Sequence, residues 1–172
     1  MVKPPPVSEV VGYLAGVWQL LNITSIHTNG THRPADDSHP TGVNPAGLIQ
    51  YTHSGWMAAN IQSTTPSHRP DNISYPAAVT DLDSEWAKVG KHIVSYAGHY
   101  SVNPWNDRQG NLTHGPLVFA HLPKWTGSGL ARNYTMVPAS GGKSRKREDD
   151  VLQIWVLGKD GWTNNLYWKR TG

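Results

Sequence analysis

The stretch GLIQYTHSGWMAANIQ, residues 47–62, decides the fold of this chain. Its two runs, GLIQYT and GWMAANIQ, are rich in branched and aromatic residues, and they meet at a turn that contains Ser54 and Gly55. Short runs of this kind on either side of a Gly-containing turn are typical of a β-hairpin. The stretch therefore predicts two neighbouring antiparallel strands.

Six more segments have the composition of β-strands. One precedes the hairpin, at roughly 16–27, and five follow it: HIVSYAGHYSVN, LTHGPLVFAHL, LARNYTMV, DVLQIWVL and NNLYWKR. Sequential strands joined by short turns pair antiparallel with their neighbours. Eight such strands predict an all-β, eight-stranded antiparallel up-and-down barrel, just wide enough for one small ligand. A sandwich of the same strands is the competing architecture.

Two further segments favour helices. SEVVGYLAG predicts a short N-terminal helix, and TDLDSEWAKVGKH predicts a helix between strands three and four. In the second segment, Leu82 and Trp86 share a face, and Thr80 is the predicted cap. The opening MVKPPP predicts a disordered lead over 1–6, followed by one barrel domain over 7–172.

Composition limits both the chemistry and the location. The chain has 172 residues, which suits one domain, and it has no Cys, so disulfides and thiolate chemistry are excluded. The N-terminal segment has no long apolar run, which predicts no signal peptide, no membrane span and a cytoplasmic location. Eight Trp and seven Tyr against one Phe suit walls that are partly apolar and partly hydrogen-bonding.

Two surface patterns argue against macromolecular partners and glycans. The net charge is +3, and the basic run GGKSRKRE at 141–148 lacks interleaved aromatic residues. It therefore predicts a solvated hairpin loop rather than a nucleic-acid site. Several N-x-S/T sequons lie inside predicted strands, where a glycan does not fit, and we interpret the set mainly as chance: Asn22, Asn29, Asn72, Asn111 and Asn133.

The sequence predicts no metal and no cofactor. Nine His are present without a His-x-His pair, which would place two rings on one face of a strand. His114 and His121 are seven residues apart and face opposite ways on a regular strand. The fragment SGGKS has Val137 where a phosphate-binding loop needs its first glycine. Without Cys or a G-x-S-x-G turn, a local signal for nucleophilic catalysis is also missing.

The two ends of the predicted barrel carry a further pattern. GVW at 16–18 begins the first strand, and LYWKR at 166–170 ends the last. With LAGVWQLLN, YAGHYSVN and LTHGPLVFAHLPKW, the chain resembles the lipocalin-like domain proteins of bacteria and fungi over nearly its whole length. This resemblance implies a lipocalin-like barrel in which Trp18 closes one end beneath Arg170. An arginine can stack on an indole and donate to nearby carbonyls.

The resemblance also carries a functional expectation. Such domains occur in fungal natural-product gene clusters, where related lipocalin-type barrels act as cyclases, isomerases and pericyclases. It brings no catalytic residue set with it, so candidate residues depend on strand alternation and side-chain chemistry.

Alternation predicts which side chains face the barrel interior, although a bulge inverts any such set. The predicted inward positions are Ile49, Tyr51, Val94, Tyr96, Gly98, Tyr100, Leu112, His114, Pro116, Val118, Arg132, Tyr134, Met136, Leu166, Trp168 and Arg170. Trp125 lies in a turn at one barrel end, where it can cover the mouth or simply pack.

Three of these side chains suit acid–base or electrostatic chemistry and are the predicted catalytic residues: His114, Arg132 and Tyr96. The predicted substrate-binding residues are Tyr51, Tyr100, Trp125, Tyr134, Met136 and Trp168. Structural alternatives stay open at this point. The histidine can be a buried residue bonded to backbone, the arginine can pair with a carboxylate outside the barrel, and the tyrosines can be core residues.

The sequence thus predicts a cofactor-free isomerase or cyclase, with a pericyclase included, that holds a hydrophobic secondary metabolite in one reactive shape. The expected partner is this small molecule, with no nucleic acid and no membrane, and the protein is a monomer or a homodimer. The alternative is a non-catalytic carrier of a small hydrophobic molecule. A third hypothesis is a barrel plugged by its own Trp and Tyr side chains.

Overall fold

A computed structural model describes residues 4–34, 39–137 and 150–171. The basic run at 141–148, and the loop predicted there, lie outside these residues. The described strands are β1 (Gly16–His27), β2 (Ala46–Tyr51), β3 (Trp56–Gln62), β4 (Ile93–Pro104), β5 (Gln109–Ala120), β6 (Leu130–Val137), β7 (Val151–Leu157) and β8 (Trp162–Arg170). The described helices are α1 (Val7–Leu14) and α2 (Asp83–Lys91).

The strands follow one another round a closed barrel in chain order, each antiparallel to its neighbours. β1 pairs with β8 as well as with β2. Its register with β8 begins with Trp18 opposite Arg170 and ends with His27 opposite Trp162. This last pairing closes the sheet, so the predicted up-and-down barrel is confirmed and the sandwich is excluded.

The two helices occupy the predicted places, before β1 and between β3 and β4. α2 begins at Asp83, and Leu82 takes its N-cap position, so the prediction that Thr80 caps the helix is wrong. The carboxylate of Asp81 instead accepts a hydrogen bond from the backbone N–H of Ser74 and closes the loop that leads into the helix. Of the helices in the described part of the chain, none combines the length and hydropathy needed to cross a lipid bilayer.

The pairing of β5 with β4 is bulged, and this changes the inward face of β5. The register shifts on both sides of Gly98, where a β-carbon would lie 2.5 Å from the carbonyl oxygen of Pro116. As a result His114 and Leu117, three residues apart, are both buried, at 1% and 2% exposure. Pro116 and Val118 are exposed, so the prediction that these two face inward is wrong.

The end of the barrel under α1 is closed by Trp18 and Arg170. The indole of Trp18 is fully buried, and its Nε1 donates to the carbonyl oxygen of Leu14 at 2.8 Å. The Arg170 guanidinium lies 4.2 Å from the centroid of the Trp18 ring and donates to the carbonyl oxygens of Ala15 and Tyr13. The structure therefore brings together the two residues that the resemblance places at this end.

Candidate functional site

The barrel contains a cavity of about 230 Å³ at the end away from α1. The aliphatic side chains that line it are those of Ile23, Ile49, Ile61, Val94, Ile154, Val156 and Leu166. The polar side chains that reach it are those of His39, Thr41, Tyr96, His114, Arg132 and Asn164. An apolar cavity with a few polar groups is the usual form of a small-molecule site.

His114 of β5 joins two tyrosines across the barrel interior. Its Nε2 lies 2.8 Å from the hydroxyl oxygen of Tyr51 on β2, and its Nδ1 lies 3.1 Å from the hydroxyl oxygen of Tyr96 on β4. Both ring nitrogens therefore have side-chain partners, in place of the backbone partner that the sequence left open. His114 and Tyr96 line the cavity, whereas Tyr51 lies behind the imidazole.

Burial determines the protonation of this cluster. Removal from water, aided by the positive charge of Arg132, lowers the pKa of His114 to about 3. Burial raises the pKa of Tyr51 well above its usual range and also raises the pKa of Tyr96, with the charge of Arg132 opposing both shifts. At neutral pH the imidazole is therefore uncharged and both phenols keep their protons.

Arg132 of β6 brings a positive charge to the cavity wall. Its guanidinium donates to the carbonyl oxygen of Ala131 at 2.7 Å. Within the described residues the one ion pair joins Lys88 and Glu85, so a carboxylate partner for Arg132 outside the barrel is not found there. The charge of Arg132 instead acts on the three side chains of the histidine cluster.

Two indoles complete the cavity. Trp125 lies in a single 3-10 turn between β5 and β6 and meets the ring of Tyr96 edge-on, with ring centroids 6.1 Å apart. Trp168 of β8 is 1% exposed, and its Nε1–H has no hydrogen-bond acceptor in the described part of the chain. Trp125 and Trp168 thus both line the cavity.

A comparison with known families decides the assignment, because the sequence profile of the lipocalin-like domain matches residues 15–171. The chain belongs to the lipocalin-like domain family. Among solved structures, a redesigned beta barrel aligns over 99% of this chain and 100% of its own, with 10% sequence identity and a TM-score of 0.37. No curated protein matches the sequence.

Four of the predicted substrate-binding residues are buried in this lipocalin-like domain but do not line its cavity: Tyr51, Tyr100, Tyr134 and Met136. The ring of Tyr100 packs edge-on against Tyr51, with centroids 4.9 Å apart. Tyr134 is fully buried, and Met136 borders a groove beside α1. The predicted residues that do meet at the cavity are Tyr96, His114, Trp125, Arg132 and Trp168.

Sequence reasoning missed the part of the cavity that comes from a connection. His39 and Thr41 lie between β1 and β2 in this lipocalin-like domain. The Nδ1 of His92, at the end of α2, lies 2.7 Å from the carbonyl oxygen of Pro40 and holds this segment in place. No periodicity marks such residues. Asn164, by contrast, precedes a predicted inward leucine of β8 by two positions, so strand alternation could have found it.

Proposed function

We propose that this lipocalin-like domain is a cofactor-free isomerase or cyclase acting on a compact hydrophobic molecule that carries a carbonyl group. The observation that carries the proposal is the uncharged, buried His114 between Tyr51 and Tyr96, beside Arg132, at the wall of an apolar cavity. Groups that are buried, fixed and aimed at one cavity suit the stabilisation of charge that develops during a reaction.

The size of the cavity supports a compact substrate. A dry protein cavity of about 150 Å³ binds benzene. The cavity here measures about 230 Å³. On the same scale it fits a molecule of about ten non-hydrogen atoms. Confinement in a cavity of that size restricts a flexible molecule to few conformations, which removes part of the entropic barrier to ring closure or rearrangement.

The chemistry follows from how one proton is placed in the cluster. A neutral imidazole has one N–H and one lone pair, so one tyrosine donates to it and the other accepts from it. Tyr51 has no contact with the cavity and donates to Nε2, so Nδ1–H donates to the oxygen of Tyr96. The hydroxyl proton of Tyr96 is then available to a carbonyl oxygen of the substrate. Tyr51 and His114 act as positioning residues for that donor.

Carbonyl activation is the catalytic step that this arrangement supports. A hydrogen bond from Tyr96 and the positive charge of Arg132 stabilise negative charge as it grows on the carbonyl oxygen, while bonds reorganise within the substrate. Substrate and product have the same atoms and the same number of electrons, so the step is balanced without a redox partner. A single well-placed donor of this type raises the rate constant by a factor of about 10²–10³.

A carrier is the second candidate, and one observation favours it. Both ring nitrogens of His114 are already in hydrogen bonds, so the imidazole has no free lone pair with which to remove a proton from a ligand. In a carrier, the same polar groups would serve recognition alone. For either candidate, a cytoplasmic location and a monomeric or homodimeric state stay predictions from the sequence.

The decisive experiment compares metabolites of the native host with and without the gene, by chromatography and accurate mass. If the domain is an isomerase or cyclase, deletion replaces one compound with another of identical mass. The wild-type gene and Tyr134→Phe restore the product, because the hydroxyl of Tyr134 is buried away from the cavity and has no partner in the described residues. Tyr96→Phe does not. If the two strains contain the same compounds and only their amounts differ, the protein is a carrier.

A further inference from the structure

The polar side chains around the cavity provide more donors than acceptors, and this limits the charge of the ligand. We propose that the ligand is a compact apolar acid that binds as its anion, with its negatively charged oxygen held by Arg132 and by the O–H donor of Tyr96. The inference rests on the proposed function of the cavity and adds the chemical class of what is bound: the anionic oxygen lies beside Tyr96 and Arg132, where the proposed reaction develops negative charge on oxygen.

The first step concerns charge. Arg132 is the only Arg, Lys, Asp or Glu side chain among the described residues that line the cavity. The cluster beside it consists of the uncharged His114 and two protonated tyrosines, none of which supplies a negative charge. A cation at the wall of an apolar cavity attracts an opposite charge that enters the cavity. Charge complementarity with Arg132 therefore favours an anionic ligand.

The second step concerns an unused donor. Tyr96 lines the cavity, and its hydroxyl oxygen lies 3.1 Å from Nδ1 of His114. When that oxygen accepts from Nδ1–H, its own proton has no acceptor in the described residues. A buried donor without a partner costs about 1–3 kcal/mol, so nearly all such groups find one. A ligand oxygen in the cavity can provide the acceptor that the protein does not. This observation is independent of the charge on Arg132.

The third step concerns the acceptors that a cationic or donor-rich ligand would need. Both nitrogens of His114 are occupied by tyrosine hydroxyls. The side-chain oxygen of Asn164 already accepts from the hydroxyl of Ser25 at 2.6 Å. With no carboxylate in the described wall, an ammonium ligand meets only neutral acceptors there, such as those of His39 and Thr41. The cavity thus favours an anion over a cation of the same size.

The test uses three probes of nearly equal size and shape: phenylacetate, phenylacetamide and 2-phenylethylamine, each with about ten non-hydrogen atoms, which the cavity fits. The full chain is titrated with each probe at pH 7 by calorimetry, with tryptophan fluorescence as a second readout. We expect phenylacetate to bind at least tenfold more tightly than the amide, and the amine to bind most weakly. The carboxylate alone carries the charge that complements Arg132.

Variants separate the charge from the shape of the site. Arg132→Gln should reduce phenylacetate affinity at least tenfold and leave phenylacetamide affinity within about twofold. Arg108→Gln is the matched control, because Arg108 is exposed in the connection between β4 and β5, and it should change neither affinity. Equal binding of acid and amide, tighter binding of the amine, or an acid preference that survives Arg132→Gln would each overturn the inference.

These outcomes are distinct from the fate of the proposed function. If the amide binds as tightly as the acid, ligand binding stands and only the charge assignment is lost. If none of the three probes binds, both the ligand site and this inference are overturned. If the protein prefers the acid but deletion of its gene causes no isomer to accumulate, the inference stands and the protein is a carrier rather than an enzyme.

Discussion

The imidazole of His114 is held 2.8 Å from the hydroxyl of Tyr51, although the two residues are 63 positions apart in the chain. They lie on β5 and β2, which are not neighbours in the sheet, so the contact crosses the barrel interior. Closure of the barrel is what brings them together. The consequence is a histidine whose protonation and orientation are set by side chains from three different strands.

The first prediction concerns the pH dependence of folding. Because the pKa of His114 is about 3 in the folded chain against 6.5 as the ordinary value, the unfolded chain binds more protons between these two pH values. The contribution of His114 to the free energy of unfolding is therefore complete above pH 6.5. It is lost as pH falls, by about 1.4 kcal/mol per pH unit and up to about 5 kcal/mol in all. Urea unfolding of wild type at pH 7 and pH 4.5 measures the loss.

His114→Gln supplies the control, because an amide can accept and donate between the same two hydroxyls but does not titrate. Carboxylates also titrate below pH 5, and they do so equally in both proteins. The slope of unfolding free energy against pH measures how many more protons the unfolded chain binds than the folded chain. We expect this number to be smaller in the variant by up to one. Identical slopes in the two proteins would contradict the burial of a neutral His114.

A second prediction concerns the tautomer of His114. The proposed donor chain requires the proton on Nδ1, directed at Tyr96, with Nε2 accepting from Tyr51. Nitrogen-15 spectra of labelled histidines should show this tautomer at neutral pH and no titration of the ring between pH 5 and 8, with the resonance assigned by its loss in His114→Gln. A proton on Nε2, or a titration near pH 6, would remove the proposed role of Tyr96 as the donor to the ligand.

The third prediction concerns the closed end of the barrel. Arg170→Ala removes the guanidinium that stacks on Trp18 and donates to two carbonyl oxygens. We expect the free energy of unfolding to fall by about 2–4 kcal/mol. Arg108→Ala, at an exposed position, should stay within about 0.5 kcal/mol of wild type. Chemical denaturation compares the two variants, and equal stabilities would show that the stack adds nothing.

The fourth prediction concerns the bulge that reverses the inward face of β5. Gly98→Ala places a β-carbon 2.5 Å from the carbonyl oxygen of Pro116 and 2.7 Å from the Cα of Leu117. Because backbone rather than a flexible side chain is in the way, we expect a loss of about 2 kcal/mol or more. The matched substitution is Gly90→Ala in α2, where a β-carbon meets nothing within 4 Å.

Gly90→Ala should raise stability by roughly 0.5–1 kcal/mol, because alanine loses less backbone entropy than glycine in a helix. Thermal unfolding ranks the stabilities of wild type, Gly98→Ala and Gly90→Ala. If Gly98→Ala unfolds at the same temperature as wild type, the close approach of β5 to β4 does not exist in solution. The cavity assignment of His114 would then also need revision.

Much of the architecture could be predicted because strand and turn signals are local. The predicted bounds of β1 and β6 coincide with those observed, and the inward faces of β2 and β6 follow from alternation. The error on β5 has a physical cause. Alternation assumes that paired strands advance by equal numbers of residues. β5 instead has one extra residue on each side of Leu117, the partner of Gly98, and these bulges turn Pro116 and Val118 outward. The packing of a glycine against a neighbouring strand is not encoded within either strand alone.

The site divides in the same way. For β2 and β6 the sequence by itself determined which residues face the barrel interior, because a side chain's face depends on its position along one strand where no bulge interrupts the alternation. Only the tertiary structure decided the level at which each inward residue lies. Strand tilt and stagger place Tyr96, His114 and Arg132 at the cavity, while Tyr100 and Tyr134 fill the core beneath it. The contribution of the connection between β1 and β2 depends on contacts with α2, which lies far away in the chain.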